Sequence, residues 1–147
     1  MDASEYLHQA YRLDERIDLD MQELERLREM SVSISSPKFG ERVGGTRNID
    51  DASFVRCLEK ISDLEDVIKA EVSLLVDLKK EIRVTIGSVT DANEQLVLRY
   101  RYLNAMTWPE IAGSMHANNS TVRRWHASAL EHIVLPKYPI SLKVDQQ

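Results

Sequence analysis

Five apolar residues, Phe54, Ile61, Ile68, Leu75 and Ile82, recur at every seventh position without interruption. A helix lines up such residues along one edge, and a seven-residue period is that of helices packed side by side as a coiled coil. Leu58, Leu64, Val72, Leu78 and Ile86 flank the line. The spacing therefore predicts one helix, starting at Asp50 or Asp51, whose carboxylate can accept first-turn amides, and running to about Ile86. At 1.5 Å per residue it is on the order of 50 Å long. A small domain cannot cover that much stripe, so the helix needs a partner.

The nearest partner is the segment from residue 3 to residue 30. Tyr6, Leu13 and Leu27 share a seven-residue register, with Ala10, Ile17 and Leu24 as its second line. Asp20 takes the remaining slot, where a lone acid weakens or specifies pairing. Folding back across a loop at residues 31–50, this helix makes an antiparallel hairpin with the second, giving an arm of residues 1–87. The loop, SVSISSPKFGERVGGTRNID, is broken every few residues by Ser, Gly or Pro, and its cations are Lys38, Arg42 and Arg47. It is either a binding loop or a connector. Because the first helix is shorter and less apolar, part of the stripe Phe54, Ile61, Ile68, Leu75, Ile82 is expected to face a second copy, and a homodimer is the expected state.

With 147 residues there is room for one domain, or for a long element carrying a small one. The net charge of −5 argues against a polyanion partner, but it is unevenly spread. Residues 1–86 hold 13 Lys+Arg against 19 Asp+Glu, whereas residues 87–147 hold 6 against 5. Local field governs attraction to DNA, so an acidic arm and a near-neutral module with clustered arginines are compatible with it. No apolar run is long enough for a membrane span, and MDASEYLHQA lacks the form of a signal peptide, so a cytoplasmic protein is expected. The single cysteine, Cys57, permits no internal disulfide and is expected to pack as a small apolar residue. No motif for nucleophilic, phosphate-loop or metal catalysis is present; no enzyme activity, cofactor, metal or small-molecule substrate is expected.

Beyond Gly87, which ends the long helix, a module spans residues 88–135 and a tail residues 136–147. Its first helix starts at Asp91, where D-A-N-E has the residues of a capping box, turns Leu96, Val97, Tyr100 and Leu103 inward and Arg99 and Arg101 outward, and ends near Asn104. In T-W-P-E, Thr107 can cap the Glu110 amide and Pro109 sits in the first turn, so a short helix starts at Trp108 with Ile111, Ala112 and Met115 inside. After H-A-N-N, Asn118 caps another helix, which buries Val122, Trp125, Ala129 and Ile133 and presents Asn119, Ser120, Arg123 and Arg124. Two helices across so short a turn, the second with Asn and Arg on its first turns, suit the major groove, where Arg pairs with guanine and Asn with adenine. Thr107, Asn118 and Thr121, together with Arg99 and Arg101, are candidate backbone contacts. Zinc is disfavoured: His126 and His132 stand six apart, on different faces. The tryptophans are expected in the core.

Residues 107–133 resemble the helix-turn-helix of sigma-factor region 4. Thr107, Glu110, Ile111, Ala112, Met115, Val122, Arg123, Trp125, Ala129 and Leu130 match its pattern in register. The layout from MDASEYLHQAYRLDERI to LRYRYLNAMTWPEIA resembles small phage and prophage proteins of the type that includes late-gene activators of Gram-positive phages. The resemblance implies an all-α protein, a hairpin arm plus a helix-turn-helix module, that binds double-stranded DNA and regulates phage genes, with activation as the expected mode. A terminase small-subunit-like assembly protein, or a module that binds host RNA polymerase, are the alternatives. His116 stands where such modules often have a turn glycine, and Asn119 and Ser120 replace the charged residues usual at the start of the recognition helix, so the operator cannot be copied from sigma factors.

Overall fold

A computed structural model describes residues 1–35 and 47–142, and within them the chain is all-helical, without a strand. In order come α1 (Ala3–Ser35), α2 (Arg47–Ile86), α3 (Ala92–Leu98), a π-helical turn (Arg99–Leu103), α4 (Trp108–Met115) and α5 (Asn119–His132). No helix among the described residues is long and apolar enough to cross a membrane. The chain divides into two compact units, one made of Met1–Asp14 with Leu74–Gln147 and the other of Glu15–Ser73.

The first unit has a core drawn from distant parts of the chain. Tyr6, Leu7 and Ala10 of α1, Leu78, Ile82 and Ile86 of α2, Val89, Leu98, Tyr102, and Ala129 and Ile133 at the end of α5 form one buried cluster. Ile86 and Val89, on either side of the expected boundary at residue 87, both belong to it. So do residues of the expected tail: Ile140 and Leu142 pack on the cluster. The Gln9 side chain donates to the Ile140 carbonyl (3.0 Å) and accepts from the Leu142 amide (2.7 Å), an amide group standing in for a strand partner. Glu81 joins three segments, its Oε1 accepting from the Tyr6 hydroxyl at 2.7 Å and from the Ile140 amide at 3.0 Å. Lys79 pairs with Asp14 at 3.9 Å. At the start of α1 an unanticipated capping box closes the helix: Asp2 Oδ1 accepts from the Glu5 amide, and Glu5 returns the bond to the Asp2 amide.

In the second unit Ile17 and Leu24 of α1 are buried, and the Cys57 thiol, also buried, donates to the Leu27 carbonyl at 3.2 Å. Arg28 pairs with Glu65 at 3.2 Å. In the first unit Tyr6 meets Thr85 and Asp14 meets Lys79, and in the second Arg16 meets Glu71 and Leu27 meets Cys57, so within each unit the partners descend along α2 as they ascend along α1, as antiparallel packing requires.

The buried line on α2 keeps the expected Leu78, Ile82 and Ile86 but differs elsewhere from the expected one. Cys57, Glu71, Leu78 and Thr85, three residues after Phe54, Ile68, Leu75 and Ile82, are buried and Leu64, three after Ile61, is half-buried, whereas of the residues four positions on Ile86 is buried but Leu58 and Val72 are 44% and 42% exposed. Along most of α2 the second buried line therefore falls three positions on, which admits a carboxylic acid and a threonine, and at the end of the helix Ile86, four positions on, turns inward as well. Thr85 satisfies its hydroxyl on the Glu81 carbonyl at 2.8 Å. Ile82, expected at a contact between copies, is completely buried in this chain's own core and has no surface to offer. Phe54, Ile61, Ile68 and Leu75 are half-buried.

Helix also extends into both ends of the expected 31–50 loop, to Ser35 and from Arg47. Within the helix the Ser31 hydroxyl donates to the Arg28 carbonyl one turn back, at 2.7 Å. Residues 36–46, with Lys38 and Arg42, lie outside the described residues.

Candidate nucleic-acid interface

A second apolar cluster, smaller than the first, joins α3, α4 and α5. Val97, Ile111, Ala112 and Val122 are its buried centre, and Tyr100, Met106, Trp108, Met115, Ala117 and Trp125 pack around it. Both tryptophans are half-buried against it, as their periodic positions predict.

The turn between α4 and α5 is set by backbone bonds. Thr107 has extended dihedrals and accepts weakly from the Glu110 amide (3.4 Å), and Pro109 falls in the first turn of α4. At the other end His116 is left-handed, at φ 52 and ψ 44. Its amide donates to the Gly113 carbonyl, and the Ala117 amide donates to the Ala112 carbonyl at 3.0 Å. This pair of bonds is the Schellman closure, which normally favours glycine at the left-handed position. Asn118, extended at φ −79 and ψ 153, then starts α5, its carbonyl accepting from Val122 at 3.0 Å. The Asn118 side chain, expected to cap α5, makes no capping bond.

With Val122 and Ala129 turned into the core, Asn119, Ser120, Arg123 and Arg124 are all exposed, on the first two turns of α5. Their spacing of one, four and five residues gives them one helix face. Thr107, Asn118 and Arg99 are exposed as well, and Thr121 is half-buried. Arg101 is not an outward arm. Its Nη1 donates to the Met106 carbonyl at 2.9 Å, and its guanidinium lies 4.4 Å from the centre of the Trp108 ring, so it is a fixed cation. The chain reverses beside it through Ala105, at φ 51, and the Met106 amide closes on the Tyr100 carbonyl.

Two histidine contacts escaped the sequence reading. His126 Nε2 shares a 2.6 Å hydrogen bond with the Tyr102 hydroxyl, and its ring meets Trp108 edge-on at 4.8 Å. Burial first, then the Arg101 and His8 charges, pull its pKa down to about 4. His132 instead bonds through Nδ1 to Glu94 at 2.9 Å, and Ser128 donates to the same carboxylate at 2.6 Å. These hydrogen bonds hold Glu94 below the usual carboxylate range and raise His132. Only half of the expected capping box at Asp91 is therefore made: Asp91 Oδ1 accepts from the Glu94 amide, but the Glu94 side chain is turned inward. The inward line of α3 is thus Glu94, Val97 and Leu98, and Leu96, expected inside, is 41% exposed. Tyr102, held by His126, continues that line through the π turn.

His126 is expected to remain neutral through pH 5.5 and to protonate near pH 4, which a histidine-resolved NMR titration measures directly. With the folded value below the unfolded one, only the unfolded chain takes up a proton in between. This group's contribution to stability is therefore lost as pH falls from about 6.5 to about 4. A midpoint at the free-imidazole value would mean that the ring is not enclosed.

The model of the family described as Protein of unknown function (DUF1492) matches residues 33–133, which include all of α2, α3, α4 and α5. No curated protein and no solved structure matches the chain.

Proposed function

We propose that this chain, which belongs to the DUF1492 family, is a sequence-specific DNA-binding regulator of transcription that reads the major groove with the first two turns of α5. The observation that carries this reading is the combination of a closed turn at His116 and Ala117 with four exposed polar residues, Asn119, Ser120, Arg123 and Arg124, on the face of α5 opposite its buried Val122 and Ala129. In this reading α4 and α5 are a helix-turn-helix of the sigma-region-4 kind. Arg123, Arg124 and Asn119 are its base-reading groups, and Thr107, Asn118, Ser120, Thr121 and Arg99 are its backbone contacts. Arg101 acts from its fixed position on Trp108. The paired lengths of α1 and α2 are the hairpin arm, its base built into the same core as the module. Phe54, Ile61, Ile68 and Leu75 keep apolar surface for a second copy, so that a homodimer would bring two α5 helices to one duplex and raise the effective concentration of the second. The resemblance of residues 107–133 to sigma region 4 points to phage or prophage genes as the target and to activation as the mode.

Selection of duplexes from a random pool by the full-length chain tests the reading. The expected result is an enriched consensus whose affinity falls linearly with the logarithm of salt concentration, by about 0.9 in slope for each phosphate neutralised. Recovery of an unenriched pool, with no retention at low salt, rules it out.

A further inference from the structure

A cleft of about 270 Å³ opens in the first unit between α1 and the π turn, lined by His8, Tyr11, Arg101 and Tyr102. No carboxylate is among these four residues. Arg101 is pinned by Met106 and Trp108, and its bond to Met106 uses one of the five N–H donors of a guanidinium. His8 meets Tyr11 and Tyr102 edge-on, with ring centres at 5.9 and 6.1 Å. The Tyr102 hydroxyl is committed to His126, so this residue contributes its ring as a wall. The cleft thus combines a pre-positioned guanidinium, an imidazole and aromatic walls, with no carboxylate among the described residues that line it.

From this lining we propose that the cleft is an anion site for a phosphate group. A fixed guanidinium presents planar donors matched to phosphate oxygens, and it loses little side-chain freedom on binding because Trp108 and Met106 already hold it. The volume is just below the roughly 300–1,000 Å³ of sites for drug-sized ligands, which suits a phosphate carrying at most a small organic group. The phosphate comes either from a free phosphomonoester or from the backbone of a duplex. The site shares Arg101 with the proposed DNA contacts but takes no residue from α5 itself.

NMR of the full-length chain, with side-chain signals of His8, Tyr11, Tyr102 and His126 followed at constant ionic strength, tests the site. Inorganic phosphate, a 5′-mononucleotide and a short duplex are added in turn, with chloride as the control. Saturable shifts confined to the cleft signals on addition of phosphate or mononucleotide, weakened about tenfold or more in His8→Gln and in Arg101→Gln, support a site for the free anion. Shifts of the same signals with duplex alone support a site for backbone phosphate. His8→Gln is the second variant that guards against loss of folding, because Arg101 also supports Trp108. An Arg123→Ala, Arg124→Ala chain that still binds free phosphate separates this site from α5. If none of the three ligands shifts the cleft signals beyond the chloride control, the proposal is overturned.

Discussion

Replacing both Arg123 and Arg124 with alanine is expected to weaken binding of the full-length chain to its selected duplex by at least ~30-fold, read by fluorescence anisotropy. A base-contacting arginine contributes roughly 1–3 kcal/mol, and two contacts at the low end of that range give this factor. Both side chains are exposed, so folding should be unchanged. Arg123 is the less independent of the two, with its guanidinium 5.9 Å from the Trp108 ring centre. Arg124→Ala alone should relax discrimination at one base position. Arg99→Ala, a change at a backbone contact, should lower affinity alike on every sequence and reduce the salt slope by about one. Wild-type affinity in the double variant means that α5 does not read DNA through this face.

The helices are legible in the sequence wherever a period or a cap writes them locally. Gly87 does follow the last residue of α2, and Pro109 and Asn118 stand at the helix starts where their backbone preferences put them. The positions that escaped depend on partners far along the chain. Glu94 has the spacing of a capping box, and nothing nearby says that Ser128 and His132 will draw it inward. Leu96 is apolar, but at about 100° per residue it points well away from the line of Glu94, Val97 and Leu98. His8, Tyr11, Arg101 and Tyr102 meet only because the first turns of α1 return to the core of the C-terminal helices, which no local pattern encodes. His116 is a different case. Its departure from glycine is visible in the sequence, and the backbone adopts the left-handed state regardless, because two turn bonds and the contact of Ala117 with the small core hold it there.

Asp20 interrupts the apolar stripe of α1, and the group it faces explains why the interruption matters. Glu71, on the buried line of α2, has a side chain only 10% exposed, with Arg16 no closer than 3.9 Å. Neither of its carboxylate oxygens has a hydrogen-bond donor. Burial first, and then an Asp20 carboxylate able to accept its proton, push Glu71 up to about 7, while Arg16 pulls the other way. Between the ordinary glutamate value and about 7 the folded chain holds a proton that the unfolded chain has released, so stability is lost as pH rises through that window. The full span corresponds to about 3 kcal/mol. Glu71→Gln keeps the shape and removes the titration, and subtracting its unfolding free energy from that of the wild type cancels the other titrating groups, His126 and His132 among them. The expected outcome of denaturant unfolding is a variant that gains on the wild type steadily from pH 5 to pH 7.5, by about 2–3 kcal/mol. Glu71→Leu should gain more, because an apolar residue in a buried stripe needs no partner at all. A constant difference across that range would show that Glu71 is charged throughout, with the Arg16 pair outweighing burial and Asp20.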